Sequence, residues 1–393
     1  MRAQLRRFWL LAALMTAALV LAACAEDEDD VADDEPDADG TEEPEPDDEP
    51  DDEPDDEPDD EPDDEPDEEE AEEEPDEAAD ETIDVEERTI RLATIRTTDD
   101  PAHAGAERFG EILSERTDGA VEVDIFPDSQ LGDFPDLFAD MQAGELDMFY
   151  EGISIYPTLD GGDNFLVTSV PFMWESYEQF REVMETDRFQ ELFDEAAEET
   201  GVRVIATAGD KEPRALSADR PVETADDMEG LSLRIAEAEM PQQFATALGA
   251  QPEVVPFSDL YLSLQQGVVD AQENGAISMV TQSFYEVQDY FMPIDYIRDV
   301  ETFYMSDEIH ADLEPELQEV IEEAAEEAGE VVTEQVGEQM DEAMGTLEEN
   351  LEIVEPDIES FEEALEGEFE QFDGDLWEQG LLEETRELAE EAG

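Results

Sequence analysis

Arg214 and Arg234 carry the side chains in this sequence best suited to binding a small anion. Each lies on a strand-like segment beside a turn-rich region. A guanidinium presents a planar fork that can bind a carboxylate through two hydrogen bonds. The chain has 121 acidic residues but only 17 lysines and arginines, so each arginine that it retains is informative. The alternative interpretation is a pair of structural salt bridges, which composition alone favours.

Few residues offer catalytic or metal-binding chemistry. Cys24 is the only cysteine, and His103 and His310 are the only histidines. Zinc sites and cysteine–histidine catalytic pairs are therefore not expected. The sequence also contains no glycine-rich phosphate loop, no Gly-x-Ser-x-Gly elbow and no Ser/His/Asp set. We therefore predict a protein that is not an enzyme and that uses neither a cofactor nor a metal.

The elements that must position the arginines alternate between strand-like and helix-like segments. Residues 90–95, 121–125 and 146–150 have strand character, whereas 102–116 and 134–141 have apolar faces at helical spacing. Near Pro213 a second series begins, with strands at 214–217, 231–236 and 268–271 and helices at 241–248 and 258–266. This alternation predicts an α/β fold with mostly parallel sheets, in which ligands lie at the carboxyl ends of strands.

The N-terminus is typical of an exported protein. Three arginines precede an uncharged apolar run at residues 8–21, and Leu-Ala-Ala-Cys closes the segment at Cys24. This closing tetrapeptide resembles the lipobox of bacterial lipoproteins, so we predict a lipoprotein signal peptide at 1–24 with Cys24 lipidated. A single membrane anchor is the alternative, but the run is shorter than the ~20 residues that span a bilayer. The sequence leaves open whether export is general or twin-arginine.

Residues 25–87 form an acidic, proline-rich segment in which 42 of the 63 residues are Asp or Glu. Such a segment has little to bury, so we predict a disordered tether; a cation-binding tail is the alternative. From residue 88 onward, 79 acidic residues face 14 basic ones. This surface is typical of adaptation to high salt, where repulsion is screened. It excludes a nucleic-acid partner, which requires a basic surface.

Several motifs together resemble the substrate-binding proteins of TRAP transporters, the DctP family. Residues 227–235 are similar to the family's D-M-x-G-L-K-x-R segment, and 126–132 to its Y-P-x-S-Q-L-G. Further matching blocks are 144–148, 170–173, 247–252, 256–261, 264–274 and 284–288. Two positions depart from the pattern, because Gly275 replaces a usual proline and Ser232 a usual lysine. The resemblance covers the chain from Thr89 onward.

The resemblance implies a two-lobed clamshell of the periplasmic-binding-protein type, each lobe a mostly parallel sheet flanked by helices. It implies a first lobe from residues 88–212 and 300–340 and a second from 213–299 and 341–393. The implied ligand-binding residues, with the carboxylate on Arg234, are Arg234, Arg214, Asn274, Phe257, Thr97, Glu151 and Phe172.

The implied function is capture of a small carboxylate outside the cell for a TRAP-type secondary transporter. The expected partners are the transporter's small and large membrane subunits, and the expected state is a monomer held by lipid at the outer face of the cell membrane. The binding protein of an ATP-driven importer and the ligand sensor of a membrane receptor remain alternatives. The sequence does not identify the carboxylate.

Overall fold

The computed structural model describes residues 82–393. Within that range the chain forms eleven strands and eleven α-helices, joined by turns and short 3₁₀ segments. The strands are β1 Arg88–Ala93, β2 Val121–Phe126, β3 Met148–Gly152, β4 Val202–Asp210, β5 Leu216–Ala218, β6 Ser232–Ile235, β7 Gln251–Val254, β8 Ala271–Gln272, β9 Tyr290–Met292, β10 Val300–Ser306 and β11 Glu352–Ile353. The helices are α1 Pro101–Arg116, α2 Phe134–Gln142, α3 Tyr177–Met184, α4 Asp187–Thr200, α5 Glu239–Ala247, α6 Leu260–Gln265, α7 Ala276–Thr281, α8 Asp307–Ala311, α9 Pro315–Asn350, α10 Ile358–Leu365 and α11 Leu381–Ala392.

The first lobe is built on a five-stranded sheet with the order β2-β1-β3-β10-β4. β1 runs parallel to β2 and β3, while β10 is antiparallel to β3 and β4. Alternate apolar residues of β1, such as Ile90 and Leu92, are buried in the core. Phe303 on β10 stacks on Tyr150 on β3 with ring centroids 3.8 Å apart. This aromatic pairing holds the reversed strand in register beside its neighbour.

The second lobe is built on a six-stranded sheet with the order β11-β9-β5-β8-β6-β7. β6 is parallel to β7 and β8, and β9 is parallel to β11. β5 is antiparallel to both of its neighbours. Each sheet therefore contains one reversed strand among parallel ones, which confirms the predicted α/β class and the mostly parallel sheets.

Two short segments and the long helix α9 carry the chain between the sheets. Residues 211–215 connect β4 to β5, and residues 293–299 connect β9 back to β10. The 36-residue helix α9 packs against α1 and β4 of the first lobe and also against α7 and β11 of the second. At 1.5 Å per residue this helix is about 54 Å long. Its apolar stripe, including Leu317, Ile321 and Ala328, is buried.

Two expected boundaries differ from the structure. Residues 82–87 were assigned to the tether, but Ile83 donates a backbone hydrogen bond of 2.8 Å to Arg116 O, and Ile83 and Val85 pack on the core. These two apolar residues have a surface to bury, unlike the acidic residues before them. The second difference is α11, which was expected in the second lobe. It packs against α3 of the first lobe, where Gln179 Nε2 donates to Ala389 O at 2.8 Å.

Residues 1–81 lie outside the described part of the chain, and with them the predicted signal peptide, Cys24 and most of the predicted tether. Between residues 82 and 393, no helix is both long and apolar enough to cross a bilayer.

Candidate functional site

A cleft lies between the two lobes, at the ends of strands from both sheets. Its apolar lining includes Ile95, Phe134 and Phe257. Its polar lining comes from both lobes and consists of Arg96, Glu151, Ser154, Ser169, Arg214, Arg234 and Asn274. Four of the seven ligand-binding residues predicted from the sequence, Arg214, Arg234, Asn274 and Glu151, belong to this polar set.

Arg234 is a buried cation without a carboxylate partner among residues 82–393. It lies on β6 between the buried residues Leu233 and Ile235 and is itself only 2 % exposed. Its Nε donates to Val255 O at 2.9 Å, but no carboxylate among residues 82–393 lies within 4.0 Å of its guanidinium. Burial lowers the pKa of Arg234 to about 10, so the side chain stays charged at neutral pH. The free guanidinium nitrogens are therefore available to an anion in the cleft.

Arg214 stands beside Arg234 but is already paired. Its Nη2 donates to Glu273 Oε1 at 2.7 Å and its Nε to Glu273 Oε2, which gives a two-point ion pair. The Tyr296 hydroxyl donates to the same carboxylate at 2.7 Å. Burial disfavours the charge, yet the adjacent Glu273 carboxylate raises the pKa of Arg214 well above its usual range. The structural salt bridge considered in the sequence analysis is therefore present at Arg214.

Asn274 is held in place by its neighbours in the second lobe. Its Oδ1 accepts from Arg214 Nη2 at 3.4 Å, and its Nδ2 donates to Gln272 Oε1. The next residue, Gly275, directly precedes α7, and the Glu212 carboxylate, in segment 211–215, accepts hydrogen bonds from the backbone N–H groups of Ile277 and Ser278 on α7. A Cβ at position 275 would lie 2.5 Å from Glu212 Cδ and 2.6 Å from Pro213 O. Glycine in place of the family's usual proline therefore makes room for the Glu212 carboxylate.

The first-lobe wall contains a charge cluster of Arg96, Glu151, Lys211 and Glu301. Arg96 Nε and Nη2 donate to the two oxygens of Glu151 at 2.8 and 2.7 Å. Lys211 donates to Glu151 and, at 2.8 Å, to Glu301. All four residues are less than 10 % exposed. They bring two cations and two carboxyl groups together at the cleft wall, and each cation is hydrogen-bonded to a carboxyl group within the cluster.

The pKa values in this cluster follow from its pairing. Burial alone would raise the pKa of Glu151, but the charges of Arg96 and Lys211 hold it well below its usual range. Burial raises the pKa of Glu301 to about 7, because only Lys211 compensates it closely and Glu151 repels it. Glu301 Oε2 has no hydrogen-bond partner within the described residues. Glu151 is therefore a firmly ionised group of the cleft wall.

Sequence analysis missed Arg96 and Lys211. Arg96 immediately precedes Thr97, which the sequence had selected, and Lys211 is the only lysine of the chain. Basic residues are scarce in this chain, and the argument that singled out Arg214 and Arg234 on that ground applies equally to Arg96 and Lys211. Their partners gave no comparable signal, because acidic residues occur throughout the sequence.

Phe257 bridges the two walls of the cleft. Its ring lies 5.1 Å from the guanidinium carbon of Arg96 and 5.9 Å from that of Arg234. Its backbone N–H donates at 3.0 Å to Asp133 Oδ2, in the first lobe. Arg96 Nη1 also reaches across, donating to Ser278 Oγ at 3.3 Å. Hydrogen bonds thus join the lobes on either side of the aromatic ring.

The remaining two predicted residues do not line the cleft. The Thr97 hydroxyl is buried without a hydrogen-bond partner in the described chain. Phe172 is half-buried with a left-handed φ of +58°, and its backbone N–H donates to Tyr296 O at 2.8 Å. Thr97 follows the cleft residue Arg96 in the sequence, and Phe172 lies three residues after Ser169. Neither side chain forms part of the cleft surface.

The family model for bacterial extracellular solute-binding proteins of family 7, DctP, matches residues 92–375. The chain belongs to the DctP family. This is a family of solute-binding proteins rather than of enzymes, and its members act outside the cytoplasm. The resemblance stated from the sequence motifs is therefore confirmed.

Curated relatives of this DctP-family protein match over about half of the chain. A solute-binding protein of Roseobacter denitrificans is 32 % identical over 213 residues, which are 54 % of this chain and 64 % of the relative. The C4-dicarboxylate-binding periplasmic protein DctP of Rhodobacter capsulatus is 32 % identical over 203 residues, or 52 % and 60 % of the two chains. These alignments span less than two thirds of either relative.

Among solved structures, a TRAP periplasmic solute-binding protein of Roseobacter denitrificans with bound L-galactonate superposes with a TM-score of 0.70 and 29 % identity. The superposition covers 78 % of this chain and 99 % of that one. The likeness confirms the two-lobed clamshell architecture of the DctP-family protein.

Proposed function

We propose that this protein captures a small carboxylate outside the cytoplasm and delivers it to the membrane subunits of a TRAP-type transporter. Arg234 carries the proposal: a buried, charged guanidinium on the cleft wall with no carboxylate partner among the described residues. Burying an unpaired charge is costly, so a site that retains one is suited to receiving the opposite charge from a ligand.

The chemistry of the cleft fits a carboxylate. Charge-assisted hydrogen bonds from a guanidinium to a carboxylate contribute about 1.5–3 kcal/mol each. The Phe257 ring lies over the same guanidinium and supplies an apolar face for the carbon skeleton of the ligand. Asn274 and the serine hydroxyls supply neutral polar groups beside it. The arrangement is suited to binding and orienting a ligand.

The known relatives support the same ligand class. The Roseobacter structure contains L-galactonate, and the Rhodobacter relative is named for C4-dicarboxylates. The membership in the DctP family favours a TRAP transporter over an ATP-driven importer. The hydrogen bonds between the lobes, from Phe257 N to Asp133 and from Arg96 to Ser278, indicate how a ligand-bound form is held closed.

The proposal extends to the membrane. We infer that lipidation of Cys24 anchors the protein as a monomer and that the acidic segment from residue 25 lifts the lobes away from the lipid. Both features lie outside the described residues and rest on the sequence alone.

Calorimetric titration in molar salt tests the proposal. The titrants are L-galactonate, other sugar and hydroxy acids, and C4-dicarboxylates. We expect at least one to bind, and Arg234→Ala to weaken its binding by at least ~30-fold, because truncating one partner of a buried charge pair costs about 2–5 kcal/mol. Arg220→Ala is the matched control: it removes the same charge from an exposed position in the same lobe and should bind like wild type. Near-native affinity in a folded Arg234→Ala variant would contradict the proposal.

A further inference from the structure

We propose that the ligand carries a single negative charge: a hydroxylated monocarboxylate rather than a dicarboxylate. The inference rests on the proposed function and narrows its ligand class. The relatives leave the question open, because one is solved with a monocarboxylate and another is named for C4-dicarboxylates. The charges around this cleft distinguish the two.

Three guanidinium groups line the cleft, but two are already neutralised. Arg96 is held at two points by Glu151, and Arg214 at two points by Glu273. Both carboxylates are buried, Glu151 at 3 % exposure and Glu273 at 0 %. Lys211 is itself held by both Glu151 and Glu301. Arg234 is thus the cation of this cleft that lacks a carboxylate within the described residues.

A second ligand carboxylate would need a second free cation. Arg96 or Arg214 could supply one only by leaving its present partner, which would strand a buried carboxylate without its counterion. Glu273 would keep only the hydrogen bond from Tyr296. Glu151 also forms part of the cleft lining and is ionised, so it would repel a second ligand carboxylate nearby.

The rest of the wall suits neutral hydroxyl groups. The Ser169 hydroxyl lines the cleft and makes no hydrogen bond within the described residues, so it can both donate and accept. Ser154 donates to Asp299 Oδ2 at 2.6 Å, which leaves its oxygen free to accept. Glu151 can accept from a hydroxyl as readily as it repels a carboxylate. The geometry therefore favours hydroxyl groups at a distance from the single carboxylate.

Matched ligand pairs test this inference. Galactonate and galactarate share six carbons and differ in whether one end is a hydroxymethyl group or a carboxylate, and threonate and tartrate form the corresponding four-carbon pair. Titration in molar salt should give at least tenfold tighter binding to the monocarboxylate of whichever pair binds. A dicarboxylate that binds as tightly as its matched partner would overturn the inference.

The two hypotheses fail in different ways. Tight dicarboxylate binding that Arg234→Ala abolishes would leave the proposed function standing and overturn only the charge inference. No binding of any carboxylate, or binding indifferent to Arg234→Ala, would overturn both. A second variant, Glu273→Gln, frees the Arg214 guanidinium while keeping a similar shape. We expect the ratio of the dicarboxylate Kd to the monocarboxylate Kd to fall at least threefold in this variant. An unchanged ratio in the folded variant would contradict the role of charge in that preference.

Discussion

The two walls of the cleft use buried arginines in opposite ways. On the first-lobe wall, Arg96 is enclosed in a cluster that pairs every cation with a carboxylate. On the second-lobe wall, Arg234 is also buried but has no carboxylate partner in the part of the chain that the structure describes. Phe257 lies over both guanidinium groups, so the aromatic environment does not distinguish them. The difference lies in the partners: Arg96 is paired with Glu151, whereas we propose that Arg234 receives its carboxylate from a ligand.

The comparison predicts that removing Arg96 costs mainly stability. Arg96→Met leaves Glu151 buried with Lys211 as its remaining cation, and breaking a buried pair typically costs about 3–5 kcal/mol. We expect the free energy of unfolding to decrease by an amount near the lower end of that range. Denaturant titration in molar salt measures this decrease. Arg108→Met is the control, because its ion pairs are partly exposed and such pairs contribute about 1 kcal/mol or less. Equal losses in the two variants would show that the first-lobe cluster is not structural.

A smaller loss of stability is predicted at Gly275, where the connecting segment 211–215 meets the second-lobe wall. In Gly275→Ala the new methyl group would meet Glu212 and the backbone oxygen of Pro213, and overpacking of this kind costs about 1–3 kcal/mol. Gly345→Ala is the control, since that glycine lies on the exposed side of α9 with open space around it. Thermal unfolding of both variants provides the measurement. A Gly275→Ala midpoint at or above that of Gly345→Ala would show that Glu212 does not constrain this turn.

A further prediction concerns the pH dependence of the first-lobe cluster. The pKa of Glu301 is raised to about 7 in the folded protein from an ordinary value near 4.5. The folded state therefore holds this proton more tightly, so the contribution to stability is fully present below about pH 4.5 and is lost as the pH rises through 7.

We expect wild type to lose stability relative to Glu301→Gln between about pH 5 and pH 8. The exposed change Glu195→Gln controls for the lower overall charge. The measurement is the unfolding midpoint of the three proteins across that range. A difference between wild type and Glu301→Gln that does not change with pH would contradict the assigned titration.

The sequence predicted those parts of the molecule that depend on local pattern. Alternating apolar residues identified β1 and β2, and helical spacing identified α1 and α2, because burial of one face imposes a period. The lobe that α11 joins was predicted wrongly, since this depends on a contact with α3, some 200 residues earlier in the chain. Local periodicity cannot predict a contact between residues so far apart in the sequence.

The site was predictable to a similar extent. The scarcity of basic residues and the motif around Arg234 identified a candidate anion-binding residue. The pairing of Arg214 with Glu273 could not be predicted, because any of the 79 acidic residues after the tether could have been its partner. Whether an arginine is paired with a carboxylate depends on its neighbours in the folded structure, and this property separates Arg234 from Arg96 and Arg214.

The most direct test of this account measures stability and binding together in Arg234→Met. Methionine fills a similar volume without charge, so the change removes a desolvated cation and one hydrogen bond to Val255 O. We predict that the free energy of unfolding of the unliganded protein stays within about 1 kcal/mol of wild type, while carboxylate affinity falls by at least ~30-fold. A loss of stability as large as that of Arg96→Met, with affinity retained, would contradict the claim that Arg234 is held free for a ligand.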